Sequence, residues 1–345
     1  MTIDPRQLKQ TRHWKSEDIL FCIAGEPGSD QRFIGSSDFH VYEVNAADEA
    51  GDRRAFEGGG HESYVTGIAL IGDVLISASY DRRLIWWDVS ARQVTRSIDA
   101  HDRWIRRLIA LPCGKRVASI ADDMLCKVWD VETGELIAAF TDHRPRTPHN
   151  YPSMLYGVCV SADGRLLATA DKAGHIAIWD TDNYAQVGEL DAPLMYTWDP
   201  TQRRHSIGGI RSLAFSPDGR RLAVGGIGRI ENIDGLTGPP RLEIFEWQSG
   251  SRLHEIEDNE RKGLIEQIAW GPDGNWLLTV GGDHKGVVAV YASDTGSQLH
   301  RQDTDGHIHG FVFDSARGVL DAACHQQLTR WTTVPAESTA DQPDV

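Results

Sequence analysis

Short apolar runs recur along the chain, each closed by a large apolar side chain and followed by a polar turn. Leu84-Ile85-Trp86-Trp87-Asp88, Val128-Trp129-Asp130 and Ile178-Trp179-Asp180 are the clearest copies. With the closing position at Val44, Trp87, Trp129, Trp179, Phe245, Tyr291 and Trp331, most intervals lie near the roughly 40–45 residues of one four-stranded propeller blade. The intervals from Trp129 to Trp179 and from Trp179 to Phe245 are longer and must contain insertions. Within a repeat, period-two alternation marks strands and Gly/Pro/Asp clusters mark turns, as in Ile210 to Phe215, Ser216-Pro217-Asp218-Gly219 and Arg221 to Gly225. A second turn follows the closing residue, as in Asp130-Val131-Glu132-Thr133-Gly134 and Ala292-Ser293-Asp294-Thr295-Gly296, and leads into an outer strand.

The pattern therefore predicts an all-β chain of seven four-stranded antiparallel blades. It is expected to form a single propeller domain over residues 1–334, with 335–345 a disordered tail, since that segment is rich in Ala, Asp, Ser, Thr and Pro and has no periodicity. A prior of about 150 residues per domain would suggest two units, but repeat folds routinely exceed it. The last repeat supplies only three strands, His307 to Phe313, Val319 to Ala323 and Leu328 to Thr332. The segment Arg6 to Arg12, otherwise unemployed ahead of the first inner strand at Ile19, is expected to add the fourth and close the ring.

The second and third repeats carry a polar signature at the same spacing: His61, Ser77, Asp81 and Trp87, then His101, Ser119, Asp123 and Trp129. In these residues the chain resembles the WD-repeat β-propeller family, and the resemblance covers residues 6 to 334. It implies that the Asp holds the His, the His bonds the Ser and the Ser bonds the indole N–H, so that these groups are structural and satisfy one another. Other repeats depart from it. The fourth has Thr169 and Trp179 but Ala173 in the Asp position, so its blade is expected to be held by packing. The sixth has Thr279, Asp283 and Tyr291, and the seventh has Trp331 but His325 for the Asp.

Composition narrows the partners. A formal charge of −15 repels the phosphate backbone, so nucleic acid is not expected as a partner. Five cysteines, Cys22, Cys113, Cys126, Cys159 and Cys324, form no CxxC pair and suggest neither a zinc site nor a disulfide framework. The absence of an apolar signal run at Met1 to Gln7, and of any stretch approaching about 18 apolar residues, makes a cytoplasmic location without membrane contact the expectation.

The resemblance implies that loops entering the first strand and loops joining the second to the third share one rim, the top face. Three long insertions fall in those loops: Thr141 to Pro152, Asp191 to Ser206 and Ile227 to Pro240. Loops beyond about 12 residues are usually functional or disordered, and these carry Tyr151, Leu194, Met195, Tyr196 and Trp198 amid Pro, Arg and His. Aromatics, Met and Arg together are the composition of interface hot spots; the alternative is that they pack the loops onto the propeller. The positions at the top of each first strand and before each tight turn face the same rim in the family. They read Tyr64, Thr66, Tyr80, Trp104, Arg106, Asp122, Met154, Tyr156, Arg211 and Glu266.

These observations point to a non-catalytic scaffold that binds a protein or peptide on its top face through Tyr64, Tyr80, Trp104, Arg106, Asp122, Tyr151, Met154, Tyr156, Trp198, Arg211 and Glu266. No P-loop or nucleophile elbow is present, Gly225, Gly226 and Gly228 are not followed by a helix as a dinucleotide fingerprint requires, and neither cofactor nor metal is expected. Two rivals remain in view. One is an enzyme or ligand binder with a channel site near His307, His309, Glu266 and Arg211; the other is a structural subunit that uses its outer strands or bottom loops.

Overall fold

A computed structural model describes residues 4–201, 203–231, 233 and 238–333. The expected tail, 335–345, lies outside the described residues. Seven four-stranded antiparallel sheets follow one another along the chain. Blade one comprises Leu20–Ala24, Gln31–Ser36, Val41–Asn45 and Arg53–Ala55, and blade three comprises Ile105–Ala110, Arg116–Ala121, Cys126–Asp130 and Leu136–Phe140. Every closing residue named above lies on the third strand of its blade.

Packing explains the alternation. Second strands are sandwiched between neighbouring blades, and Trp276–Gly282 is buried along its whole length. The outer strand Gln93–Asp99 alternates between exposed and half-buried positions, because only one of its faces is covered. Apolar clusters form between adjacent blades: Ile178 and Leu190 of blade four meet Leu213 and Phe245 of blade five, and Leu278 and Val290 of blade six meet Phe311 and Leu320 of blade seven.

The ring is closed by the N-terminal strand. Leu8–Lys15 pairs antiparallel with Gln327–Thr333, completing a sheet whose other strands are Val319–Cys324 and Ile308–Asp314. The strand begins and ends slightly later than the expected Arg6 to Arg12, because Asp4 caps a short turn over Pro5–Gln7. Leu8 is buried with Trp331 and Leu320.

Two polar networks form as the resemblance implies. His61 Nδ1 lies 2.9 Å from Asp81, its Nε2 lies 2.7 Å from Ser77 Oγ, and Trp87 Nε1 donates to Ser77 Oγ at 2.8 Å. The corresponding distances for His101, Asp123, Ser119 and Trp129 are 2.9, 2.8 and 2.9 Å. One arrangement satisfies every group: the indole donates to the hydroxyl, the hydroxyl to imidazole Nε2, and Nδ1–H to the carboxylate. Burial lowers the His101 pKa, so its imidazole is neutral.

Blade four corrects the expectation that it lacks an acidic partner and rests on packing. His143, from the first insertion, sets Nε2 2.8 Å from Thr169 Oγ1 and Nδ1 3.3 Å from Asp171, while Trp179 Nε1 donates to Thr169 Oγ1 at 3.0 Å. The carboxylate comes from two residues before Ala173, because Asp171 ends the second strand on the same face as Thr169. Its other oxygen accepts from the Ala173 and His175 amides at 2.8 and 3.1 Å and so holds the turn. Among the described residues the remaining signatures do not assemble into such networks: Thr279 Oγ1 donates to Ala289 O at 3.4 Å, and Trp331 Nε1 donates to Thr329 on its own strand at 3.1 Å.

Asp171→Ala is therefore expected to destabilise the fold by about 1–3 kcal/mol, the cost of an unsatisfied buried partner, and Asp123→Ala by a similar amount. Guanidinium unfolding checks this, and an unchanged midpoint for Asp171→Ala would restore the packing account of blade four.

Candidate functional site

In all seven blades the inner strand carries a bulge near its start. The antiparallel register skips one residue each time, and the skipped residues are Phe21, Thr66, Arg106, Tyr156, Arg211, Glu266 and His309. A bulge re-aims the side chain of its extra residue. Here all seven, joined by Tyr80 and Arg107, line one cavity of about 230 Å³ at the top of the central channel. Phe21, Thr66, Arg107, Arg211 and Glu266 also line the channel below, which encloses about 540 Å³.

Around this mouth, aromatic and cationic groups form a continuous ladder. Phe39 and Tyr64 have ring centroids 6.0 Å apart, Tyr64 and Tyr80 5.9 Å, and Tyr80 and Trp104 stack at 4.7 Å with planes 9° apart. The Arg106 guanidinium lies 5.1 Å from the Tyr80 ring and 5.5 Å from the Tyr156 ring, and the Arg211 guanidinium lies 4.6 Å from the same Tyr156 ring. Arg106 is fixed by Asp122, with Nε and Nη2 at 2.6 and 2.7 Å from its two oxygens, and by the Tyr80 hydroxyl at 2.8 Å. The Met154 sulfur lies 3.7 Å from Arg106 Nη2. Trp104 remains 52% exposed and Tyr64 42% exposed, a large apolar area for a surface to leave in water.

Opposite this ladder, Arg107 reaches across the channel to blade six. Its Nη2 lies 2.9 Å from the Glu266 carbonyl oxygen and 3.3 Å from the carboxylate, while His307 Nε2 lies 3.3 Å from the other carboxylate oxygen. Burial works against ionisation of Glu266, but the His307 contact and the charges of Arg211 and Arg107 outweigh it and hold the carboxyl at about 2. Burial, with His307 and His325 nearby, pushes His309 down to about 3, so this imidazole is neutral. Among the described residues no group of three His, Cys, Asp or Glu side chains is placed to hold a metal ion.

The structure thus brings Tyr64, Tyr80, Trp104, Arg106, Asp122, Met154, Tyr156, Arg211 and Glu266 to one mouth. Tyr151 and Trp198 belong to a separate cap built from the three insertions. Within the second insertion Tyr196–Asp199 and His205–Gly208 form a hairpin. His149 stacks on Trp198 at 3.7 Å, Tyr196 Oη donates to Thr147 at 2.9 Å, Tyr151 Oη donates to the Asp199 carbonyl at 3.2 Å, and the Ile230 amide donates to Thr197 at 3.0 Å. Met195 packs into the core with Ala192 and Ile210, whereas Leu194 and Trp198 stay exposed. Sequence reasoning missed Phe21, Arg107 and Phe39 at the mouth, and His309 entered only as a candidate for a channel site. The signal available for Phe21 and His309 was their place as second residue of an inner strand.

Comparison with known proteins agrees with this geometry. A family model described as WD domain, G-beta repeat matches residues 92–130, 136–180 and 198–229. Similar proteins include Protein HIR1 of Gibberella zeae, 31% identical over 176 residues that are 47% of this chain and 16% of HIR1. WD repeat-containing protein VIP3 of Arabidopsis thaliana is 26% identical over 185 residues, 53% of this chain and 52% of VIP3. The guanine nucleotide-binding protein subunit beta of Oryza sativa subsp. indica is 27% identical over 170 residues, 48% of this chain and 42% of that subunit. The chain spans about half the length of these last two relatives and far less of HIR1. The matches 92–130 and 136–180 contain the buried networks of His101 and His143, and the match 198–229 runs from the insertion hairpin into the first two strands of blade five. In these WD repeats and in its seven blades the chain is similar to the WD-repeat β-propeller family.

Proposed function

We propose that this propeller is a non-catalytic interaction scaffold whose top face receives a protein or peptide partner at the channel mouth. The observation that carries the reading is the aromatic ladder in which exposed Phe39, Tyr64 and Trp104 are joined through half-buried Tyr80, held rigid against Arg106 and Asp122. Rigid aromatics beside Arg supply large contact area at little ordering cost, which is why hot spots favour them. Similarity to a guanine nucleotide-binding protein subunit, a component of an assembly by its name, supports the same class of role.

A catalytic reading of the channel finds less support. Acid–base catalysis works best with groups that titrate near the operating pH. Glu266, held at about 2, is a weak base, and His309, at about 3, is neutral and a weak proton acceptor.

Trp104→Ala tests the proposal most cleanly, because it removes stacking and exposed area but no ion pair. Loss of a central aromatic anchor costs about 2 kcal/mol or more, roughly thirtyfold in affinity, while an exposed substitution moves stability by about 0.5 kcal/mol or less. Proteins captured from the native host by the wild type should be lost with Trp104→Ala at an unchanged melting temperature. They should be retained by Glu132→Ala and Asp294→Ala, exposed in turns between third and outer strands. Loss of the captured proteins with those controls and retention with Trp104→Ala would move the interface to the opposite rim.

A further inference from the structure

We propose that the cavity framed by the seven bulged residues receives an acidic side chain, Asp or Glu, from the partner, which accepts hydrogen bonds from Arg211 and Arg107. The inference rests on the top-face reading and adds the chemistry of the anchor.

Size, charge and unused donors converge on it. At roughly 30 Å³ per water, the mouth cavity of about 230 Å³ holds a handful of waters, and it shares five lining residues with the channel below. It fits one side chain. Its lining carries three guanidiniums, Arg106, Arg107 and Arg211, against the carboxylate of Glu266, and Asp122 behind the lining neutralises Arg106, which leaves one positive charge in excess. That local excess of positive charge stands in a chain whose formal charge is −15, so the mouth is electrostatically distinct from the protein around it.

Arg106 directs its Nε, Nη1 and Nη2 at Asp122 and Tyr80. Arg211, in contrast, donates only through Nη1, to the carbonyls of Gly208 and Ile210 at 2.7 and 2.9 Å. Its Nε and Nη2 meet no acceptor among the described residues, and neither do Nε and Nη1 of Arg107. His309 Nε2 lines the same cavity, buried and without a hydrogen-bond partner. The Tyr156 ring lies over Arg211 at 4.6 Å, a cation–π contact that holds the guanidinium in place while leaving its free donors open to the cavity. A free small anion would use these donors but leave Tyr64 and Trp104 in water. A side chain on a peptide covers them with its flanking residues, and the ladder from Tyr64 through Tyr80 to Trp104 reaches the cavity without a break.

A positional-scanning library of labelled hexapeptides, read by fluorescence polarisation against the intact chain, tests this. The wild type should select Asp or Glu at one position with apolar residues beside it. Arg211→Gln should weaken the best peptide at least tenfold, about 1.4 kcal/mol, and should bind it no better than the matching peptide with Gln in place of the acid. Arg211→Lys, which keeps the charge, should retain the acidic preference and guard against a loss due to misfolding. Trp104→Ala should weaken both peptides alike. Selection of no peptide, of basic residues, or of acidic residues with undiminished strength by Arg211→Gln overturns the proposal. So does calorimetric binding of inorganic phosphate abolished by Arg211→Gln, if peptides gain nothing from an acid. Peptides that depend on Trp104 yet show no charge preference would overturn the acidic anchor alone and leave the top face as the interface.

Discussion

Removing residues 1–15 is expected to open the ring. Leu8–Lys15 is the outermost strand of blade seven, and its loss bares the hydrogen-bonding edge of Gln327–Thr333. The strand also ties both neighbours of that blade. The His300 imidazole meets the Leu8 carbonyl at 3.0 Å and Thr304 donates to Gln10 at 2.6 Å from blade six, while Trp14 Nε1 donates to the Glu49 carbonyl at 3.0 Å in blade one. Loss of a buried Leu alone costs about 2–5 kcal/mol, and each ladder bond adds roughly 1 kcal/mol net, so the total is on the order of 5 kcal/mol or more. An exposed edge strand also invites intermolecular pairing. The truncated chain should melt without a single cooperative transition or aggregate, and a synthetic peptide of residues 1–15 should restore the transition. A truncated chain that remains monodisperse at an unchanged melting temperature would show that the ring closes without this strand.

Asp321→Ala should be the most damaging single substitution at the junction of blades one and seven. Asp321 is fully buried between two guanidiniums: Arg32 Nε lies 2.8 Å from one oxygen, and Arg330 places Nε 2.7 Å and Nη2 2.9 Å from the pair. Arg32 is itself fully buried, and Arg330 reaches a second carboxylate, Asp30, at 2.9 Å. Removing one partner of a buried ion pair leaves a charge without compensation and costs about 3–5 kcal/mol, several times an exposed pair. In this case two cations lose their shared anion. Guanidinium unfolding of Asp321→Ala should show that loss, with Asp321→Asn intermediate because it keeps the shape and loses the charge. A change within about 0.5 kcal/mol would mean that Arg32 and Arg330 find water or other acceptors.

The strand count, the closing residue of each third strand, the missing fourth strand of blade seven and the networks of His61 and His101 were legible in the sequence. Each depends on a local period or on short spacing within one repeat, and repetition makes such a signal accumulate. The rim positions of Arg106, Tyr156, Arg211 and Glu266 were legible through the family resemblance, once the repeat had placed each inner strand. Asp171 was not, because the pattern looks four residues past Thr169, whereas reach to His143 is decided by which strand face a carboxylate occupies. The three insertions could be counted, but their stacking through His149, Trp198 and Thr197 joins residues from different loops and leaves no periodic trace. The ring at the channel mouth is likewise a tertiary fact. Seven bulges, each a local shift of one residue, converge only because the blades close around an axis, and only then does Arg107 of blade three meet Glu266 of blade six while Arg211 keeps donors free above the channel. Periodicity along the chain reports what each blade buries; which side chains share a cavity is decided by the geometry of closure, which brings together residues more than a hundred positions apart.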